Sequence, residues 1–287
     1  MTAAQRIPLK DQLFTREKVE LIASEIERVH PAFRGEKFVA AVIARFPQLE
    51  LKARIEWIAT CLERNLPPDF RRAVGVLVRS LPARVDPNLS DGDFGDFIYA
   101  PYAEYVARHG CTAEDLDFSL AALREITTRF SAEFAIRHFL ELFPDQVLAT
   151  LQIWTEDEHY HVRRLCSEGT RPRLPWALSL TLPHDVGIPL LDRLFADPTR
   201  YVTRSVANHV NDISKKDPAL ALDTLERWRS SGQQQLHEMG YVIHHAARTL
   251  VRAGHPRAVD LVNSSLVIGR SGPRRHTAEQ DDRPSSS

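Results

Sequence analysis

The sequence predicts an all-α fold, an α-solenoid of stacked helix pairs, and two observations carry that expectation. Apolar residues recur at helical spacing along most of the 287 residues, and a basic, β-branched segment returns about every 40 residues in the second half. Helix positions three and four apart share a face, so this spacing marks one side of each segment for burial. No stretch shows the strict alternation of a half-buried strand.

The elements follow in order. Val19, Ile22, Ala23 and Ile26 mark the first long helix, with Thr15 ahead of Glu17 as its start signal. Leu51, Ile55, Ile58 and Leu62 mark another, and Phe70, Ala73, Val74, Leu77 and Leu81 a third, with Pro31, Pro67 and Pro68 falling between periodic segments. Residues 85–100, holding Pro87, Asp91, Gly92, Asp93, Gly95 and Asp96, read as a loop joining an N-terminal helical region, 1–84, to a second region, 101–268. In that second region His161-Val162-Arg163-Arg164, Tyr201-Val202-Thr203-Arg204 and Tyr241-Val242-Ile243-His244 recur at one period, with Asp157 and Asp197 at matching positions upstream. A period of roughly 40 residues with two helices per unit is the signature of HEAT-like repeats. The second helix of each pair is expected on a concave surface, where Arg164, Arg204 and His244 form a ladder. Residues 269–287, polar and rich in Pro and Ser, are expected to be disordered.

Composition narrows the class. With 43% hydrophobic and 26% charged residues the chain falls in the soluble globular range, and its longest apolar runs are far short of the roughly 20 residues that cross a bilayer. No membrane partner is expected, and without an export signal at the N-terminus the expected location is cytoplasmic. Cys61, Cys111 and Cys166 are far apart and form no C-x-x-C pair, which disfavours a disulfide framework or thiolate metal site. His159 and His161 beside Glu156 and Asp157 lack a matching coordination set, so neither metal nor cofactor is expected. The net charge is −1, yet basic residues concentrate locally. Residues 159–176 hold Arg163, Arg164, Arg171 and Arg173 against Glu168 alone, and residues 200–216 hold Arg200, Arg204, Lys215 and Lys216 against Asp212 alone. A surface that tracks phosphates needs such clustering.

Two segments exceed what repeat packing demands. In the first, residues 131–139, Ser131 reads as an N-cap and Glu133 falls in the first helical turn, where the helix dipole favours a carboxylate. In the second, Arg164 and Glu168 share a helix face, Gly169 closes that helix, and Pro175 opens the next, with Trp176 at its start. Arg171 and Arg173 lie on the short loop between.

Arg124-Glu125-Ile126-Thr127, the run from Ser131 to Arg137, and the sixteen-residue run from His161 to Trp176 closely resemble the AlkC family of bacterial alkyl-base DNA glycosylases. Pro8-Leu9-Lys10-Asp11 and Val210-Asn211-Asp212-Ile213-Ser214-Lys215 resemble it as well, and the likeness covers residues 7–265. It implies hydrolysis of the N-glycosidic bond of cationic bases such as 3-methyladenine and 3-methylcytosine in duplex DNA, without base flipping. Some family members carry an immunoglobulin-like domain after the helices, for which this chain is expected to be too short.

N3 alkylation gives the base a positive charge, so it departs neutral and needs no acid. The demanding species is the oxocarbenium-like sugar, which a carboxylate stabilises. Glu133 and Glu168, with Asp212 as a third candidate, take that role, and the electron-rich face of Trp176 packs on the deoxyribose. Arg163, Arg164, Arg171, Arg173, Arg204 and Lys215 are expected to hold phosphates. The expected assembly is a monomer on DNA; the alternative is a non-catalytic damage-binding or scaffold module.

Overall fold

The computed structural model describes residues 8–88 and 94–269; the expectation for the C-terminal tail and the centre of the 85–100 loop therefore lies outside the described residues. In chain order the helices are α1 (Leu9–Leu13), α2 (Arg16–Val29), α3 (Gly35–Arg45), α4 (Leu51–Glu63), α5 (Phe70–Ser80), α6 (Ala100–Gly110), α7 (Leu116–Thr127) and α8 (Ala135–Leu142). They continue as α9 (Pro144–Trp154), α10 (Tyr160–Gly169), α11 (Ile188–Leu194), α12 (Arg200–Ser214), α13 (Pro218–Ser231), α14 (Leu236–Arg252) and α15 (Pro256–Gly269). Short 3-10 turns at Phe46–Gln48 and Phe97–Tyr99 complete the regular structure. Among the described residues there is no strand, only a single bridge between Gly95 and Phe130.

The helices form two layers. α2, α5, α7, α10, α12 and α14 each touch the next, making one ladder, while α3, α4, α6, α8, α9 and α11 make a second behind it, continued by α13 against α15. This is the expected α-solenoid. The first ladder continues across the 85–100 segment, because α5 packs on α7 and α7 on α10. Thr15 caps α2 as expected, accepting a hydrogen bond from the Lys18 amide.

A recurring ion pair sets the stacking. Asp157 accepts the His159 amide at the start of α10 and, on its other oxygen, Arg124 Nε of α7 at 2.6 Å. One repeat later Asp197 accepts the Thr199 amide before α12 and Arg163 Nε of α10 at 2.6 Å. The matching aspartates seen in the sequence are thus half cap and half tie to the preceding repeat. Both are nearly buried, so removing either arginine strands a carboxylate away from water.

Two local expectations change. Ser131 does not cap a helix: α8 begins at Ala135, so Glu133 stands in the turn before it and not in its first helical turn, and the Ser131 hydroxyl is spent on the Glu133 carboxylate. Pro175 opens no helix either. Residues 170–187 contain none, and the next, α11, starts at Ile188. Pro172, Pro175 and Pro183 lack amide protons and bias their predecessors away from helix, so the segment stays an extended loop.

Candidate functional site

The loop, the turn before α8, and helices α10 and α12 bring most of the predicted residues into one chain of alternating charge. Arg164, one turn into α10, donates from Nη1 to Glu133 Oε2 at 2.9 Å and lies 3.5 Å from Glu168 Oε2 through Nη2. Glu168, on the last turn of α10, accepts Arg171 Nη1 at 2.6 Å on its other oxygen and the Ser205 hydroxyl of α12 at 2.6 Å. Arg171 then donates Nε and Nη2 to Asp212 Oδ2 at 2.9 and 2.7 Å, and Lys215 Nζ closes the chain on Asp212 Oδ1 at 2.8 Å. Three carboxylates and three cations therefore alternate from Glu133 to Lys215.

The chain polarises its members. Burial pushes the Glu168 carboxyl up, but Arg164, Arg171 and the Ser205 hydroxyl outweigh it and hold Glu168 below the usual carboxylate range. It is an anion at neutral pH and no proton donor. Burial likewise works against the Arg164 cation, and Glu168 and Glu133 more than restore it, raising its pKa. The guanidinium also stands 4.6 Å over the Tyr201 ring, which makes a T-shaped contact with the exposed Phe94.

The carboxylates differ in what they leave open. Both oxygens of Glu168 and of Asp212 carry donors, and both residues are buried. Both hydrogen bonds to Glu133, from Ser131 and Arg164, fall on Oε2, leaving Oε1 without a donor among the described residues.

Trp176 stands apart from the ion chain, 65% exposed at the loop turn. Its φ of 64° is the one positive φ at a non-glycine among the described residues, a conformation that costs about 1–2 kcal/mol for an L-residue. The indole borders a cleft of about 330 Å³ with Leu9, Leu51, Ile55, Phe97 and Phe134, the residue after Glu133, and with Lys10, Glu50 and Lys52.

The remaining predicted cations separate. Arg173 is exposed on the loop, and Arg204 sits on α12 one turn beyond Tyr201. Arg163 is turned away from the ion chain: all three of its guanidinium nitrogens bond Asp197 and the carbonyls of Asp157 and Glu158. His159 uses both ring nitrogens, Nε2 toward the Val85 carbonyl and Nδ1 as acceptor for the His161 amide.

Sequence reading missed Ser205, Tyr201 and Arg137. Tyr201 opens the repeated segment of α12 and Ser205 follows directly on it, and neither gives a signal beyond the repeat itself. Arg137 was legible only as part of the run after Ser131.

The described fold agrees with that of a solved protein. No protein-family model matches the sequence. The chain is 35% identical to the alkylpurine DNA glycosylase AlkC of Pseudomonas fluorescens, solved bound to DNA containing an abasic site analog, with a TM-score of 0.77 over 89% of this chain and 68% of that one. It is also 31% identical over 254 residues to the uncharacterized protein YhaZ of Bacillus subtilis, covering 87% of this chain and 67% of the relative. The chain belongs to the AlkC family. At family level this assigns it to alkylpurine DNA repair. Among its described residues no helix is long and apolar enough to cross a membrane.

Proposed function

We propose that this AlkC-family chain is a monofunctional DNA glycosylase that hydrolyses the N-glycosidic bond of cationic alkylated bases, 3-methyladenine and 3-methylcytosine, in duplex DNA without flipping the base. The observation that carries this reading is the alternating ion chain ending in a carboxylate oxygen, Glu133 Oε1, that no described group claims. Glu168, held ionised and fully bonded, fixes Arg164 and Arg171; Arg164 in turn orients Glu133. Glu133 Oε1 then faces the sugar, stabilises its developing positive charge and aligns the attacking water. No acid is required, since the leaving base departs neutral. Asp212 steadies Arg171 rather than touching the sugar.

Trp176 supplies the aromatic contact to the deoxyribose; its exposure and strained backbone suit a side chain held out for a partner. Arg173, Arg204 and Lys215 hold phosphates, within a catalytic and DNA-binding region spanning residues 101–268. Arg163 is assigned to the repeat instead, because its donors are spent there. The protein acts on DNA as a monomer in the cytoplasm.

Base release from methylated duplex DNA tests the reading, with affinity measured in parallel. Wild type is expected to release 3-methyladenine; Glu133→Gln loses turnover by about 100-fold and Trp176→Ala by about 10-fold, both still binding. Wild type that binds the duplex and releases nothing would leave a damage-binding module.

A further inference from the structure

α8 reaches the 170–187 loop with two side chains four residues apart, Arg137 and Glu141. Arg137 is fully buried. Its Nε donates to the Leu178 carbonyl at 2.6 Å, and its Nη1 donates to those of Gly169 and Arg171, both at 2.9 Å. One guanidinium thus joins the end of α10, the start of the loop and a point beyond Trp176. Further along, the Glu141 carboxylate accepts the Thr181 amide at 2.6 Å and its hydroxyl at 2.8 Å.

Among the described residues no carboxylate pairs with Arg137, and burial, with the nearby Arg171 cation, pushes its pKa down to about 10. It remains charged at neutral pH. A buried cation without an ion partner is a poor way to stabilise a helix pair, for which an apolar side chain of similar volume serves better. What the guanidinium alone offers is a planar fork that serves several acceptors in a fixed geometry, which the point charge of lysine cannot reproduce. The three carbonyls bracket the segment that carries Arg171, Arg173 and Trp176. The helix that bears the fork also follows directly on Glu133.

We infer that Arg137 is a positioning residue: seconded by Glu141, it fixes where the Arg171–Trp176 segment stands relative to Glu133, so that the carboxylate and the indole address the same sugar. The catalytic part of this inference rests on the glycosylase reading; the anchoring part does not.

The test uses Arg137→Met, Arg137→Lys and Glu141→Ala, checked for folding by far-ultraviolet circular dichroism. Trypsin cleavage after Arg173, which is exposed and followed by Leu174, reports the freedom of the loop. Cleavage there is expected to quicken at least tenfold in both Arg137 variants and about threefold in Glu141→Ala. Turnover of 3-methyladenine is expected to fall about tenfold in the Arg137 variants, lysine giving no rescue, while KM for the duplex changes less than threefold. Folded Arg137 variants with unchanged cleavage overturn the anchor, and a loosened loop with unchanged kcat overturns the positioning role. If the Arg137 variants do not fold, Glu141→Ala decides: unchanged cleavage and kcat overturn the inference. A loosened loop in a protein whose wild type releases no base leaves the anchor standing and removes the glycosylase reading instead.

Discussion

Arg163 and Arg164 are consecutive on α10 and face different surroundings. Arg163 binds Asp197, repeating one unit on what Arg124 does with Asp157. Arg164 lies between Glu133 and Glu168 and over Tyr201. A rotation of about 100° between successive helix residues is enough to send one side chain to the repeat junction and the next to the site. The first contact recurs with the period of the solenoid. The second draws on Glu133, Arg171 and Trp176, which come from segments that interrupt the repeat. In a solenoid, recurrence marks what stacking needs, and departure from it marks what one unit does alone.

Substitutions on the two faces should therefore separate activity from stability. Glu168→Gln, which removes the charge between two arginines, is expected to lower base release by about 100- to 1,000-fold with duplex affinity within about threefold, measured by single-turnover release and equilibrium binding. A comparable loss of affinity instead would place Glu168 in binding.

Acid should weaken the support behind the ion chain before the chain itself. His209 of α12 donates Nδ1 to the Ser167 carbonyl, and burial holds its pKa down at about 4, against about 6.5 in an unfolded chain. Between those values the unfolded chain takes up a proton that the native chain refuses. Stability present above about pH 6.5 therefore drains as pH falls toward 4, by about 3 kcal/mol. Glu168 behaves otherwise: with its pKa held below the ordinary value, its contribution is present above about pH 4.3 and is lost only as pH falls further. Urea unfolding at pH 7 and pH 5 is expected to show the first loss, and His209→Asn to flatten it.

Arg163→Met leaves Asp197 buried without its cation and is expected to cost about 2 kcal/mol in urea unfolding, with kcat for base release unchanged. A fall in kcat would put Arg163 back in the site. The smallest effect belongs to Arg173→Ala: an exposed phosphate contact removed, the slope of log affinity against log salt falls by about 1, with stability within about 0.5 kcal/mol.

Much of the fold was legible in the sequence, because helical spacing, proline punctuation and the repeat of about 40 residues all report local or periodic requirements. Where sequence reading missed, long-range partners decided. Ser131 has the chemistry of a cap, yet a carboxylate two residues on and a guanidinium from α10 claim its hydroxyl. Pro175 has the chemistry of a helix start, yet the carbonyls on either side of it are taken by Arg137. Charge clustering singled out Arg163 and Arg164 alike, since counting charges along a chain carries no information about which face each one occupies.

The sequence by itself determined that the chain is helical and repetitive, where its carboxylates and arginines concentrate, and which family its motifs resemble, because these follow from spacing and residue type. Only the tertiary structure decided that Glu133, Arg164, Glu168, Arg171, Asp212 and Lys215 form one alternating chain, that Trp176 stands exposed on a strained turn, and that Arg163 belongs to the stacking. The physical reason is that an ion pair's role depends on which partner lies within hydrogen-bonding reach and how much water is excluded around it, and both are set by segments 31 to 41 residues apart in the chain.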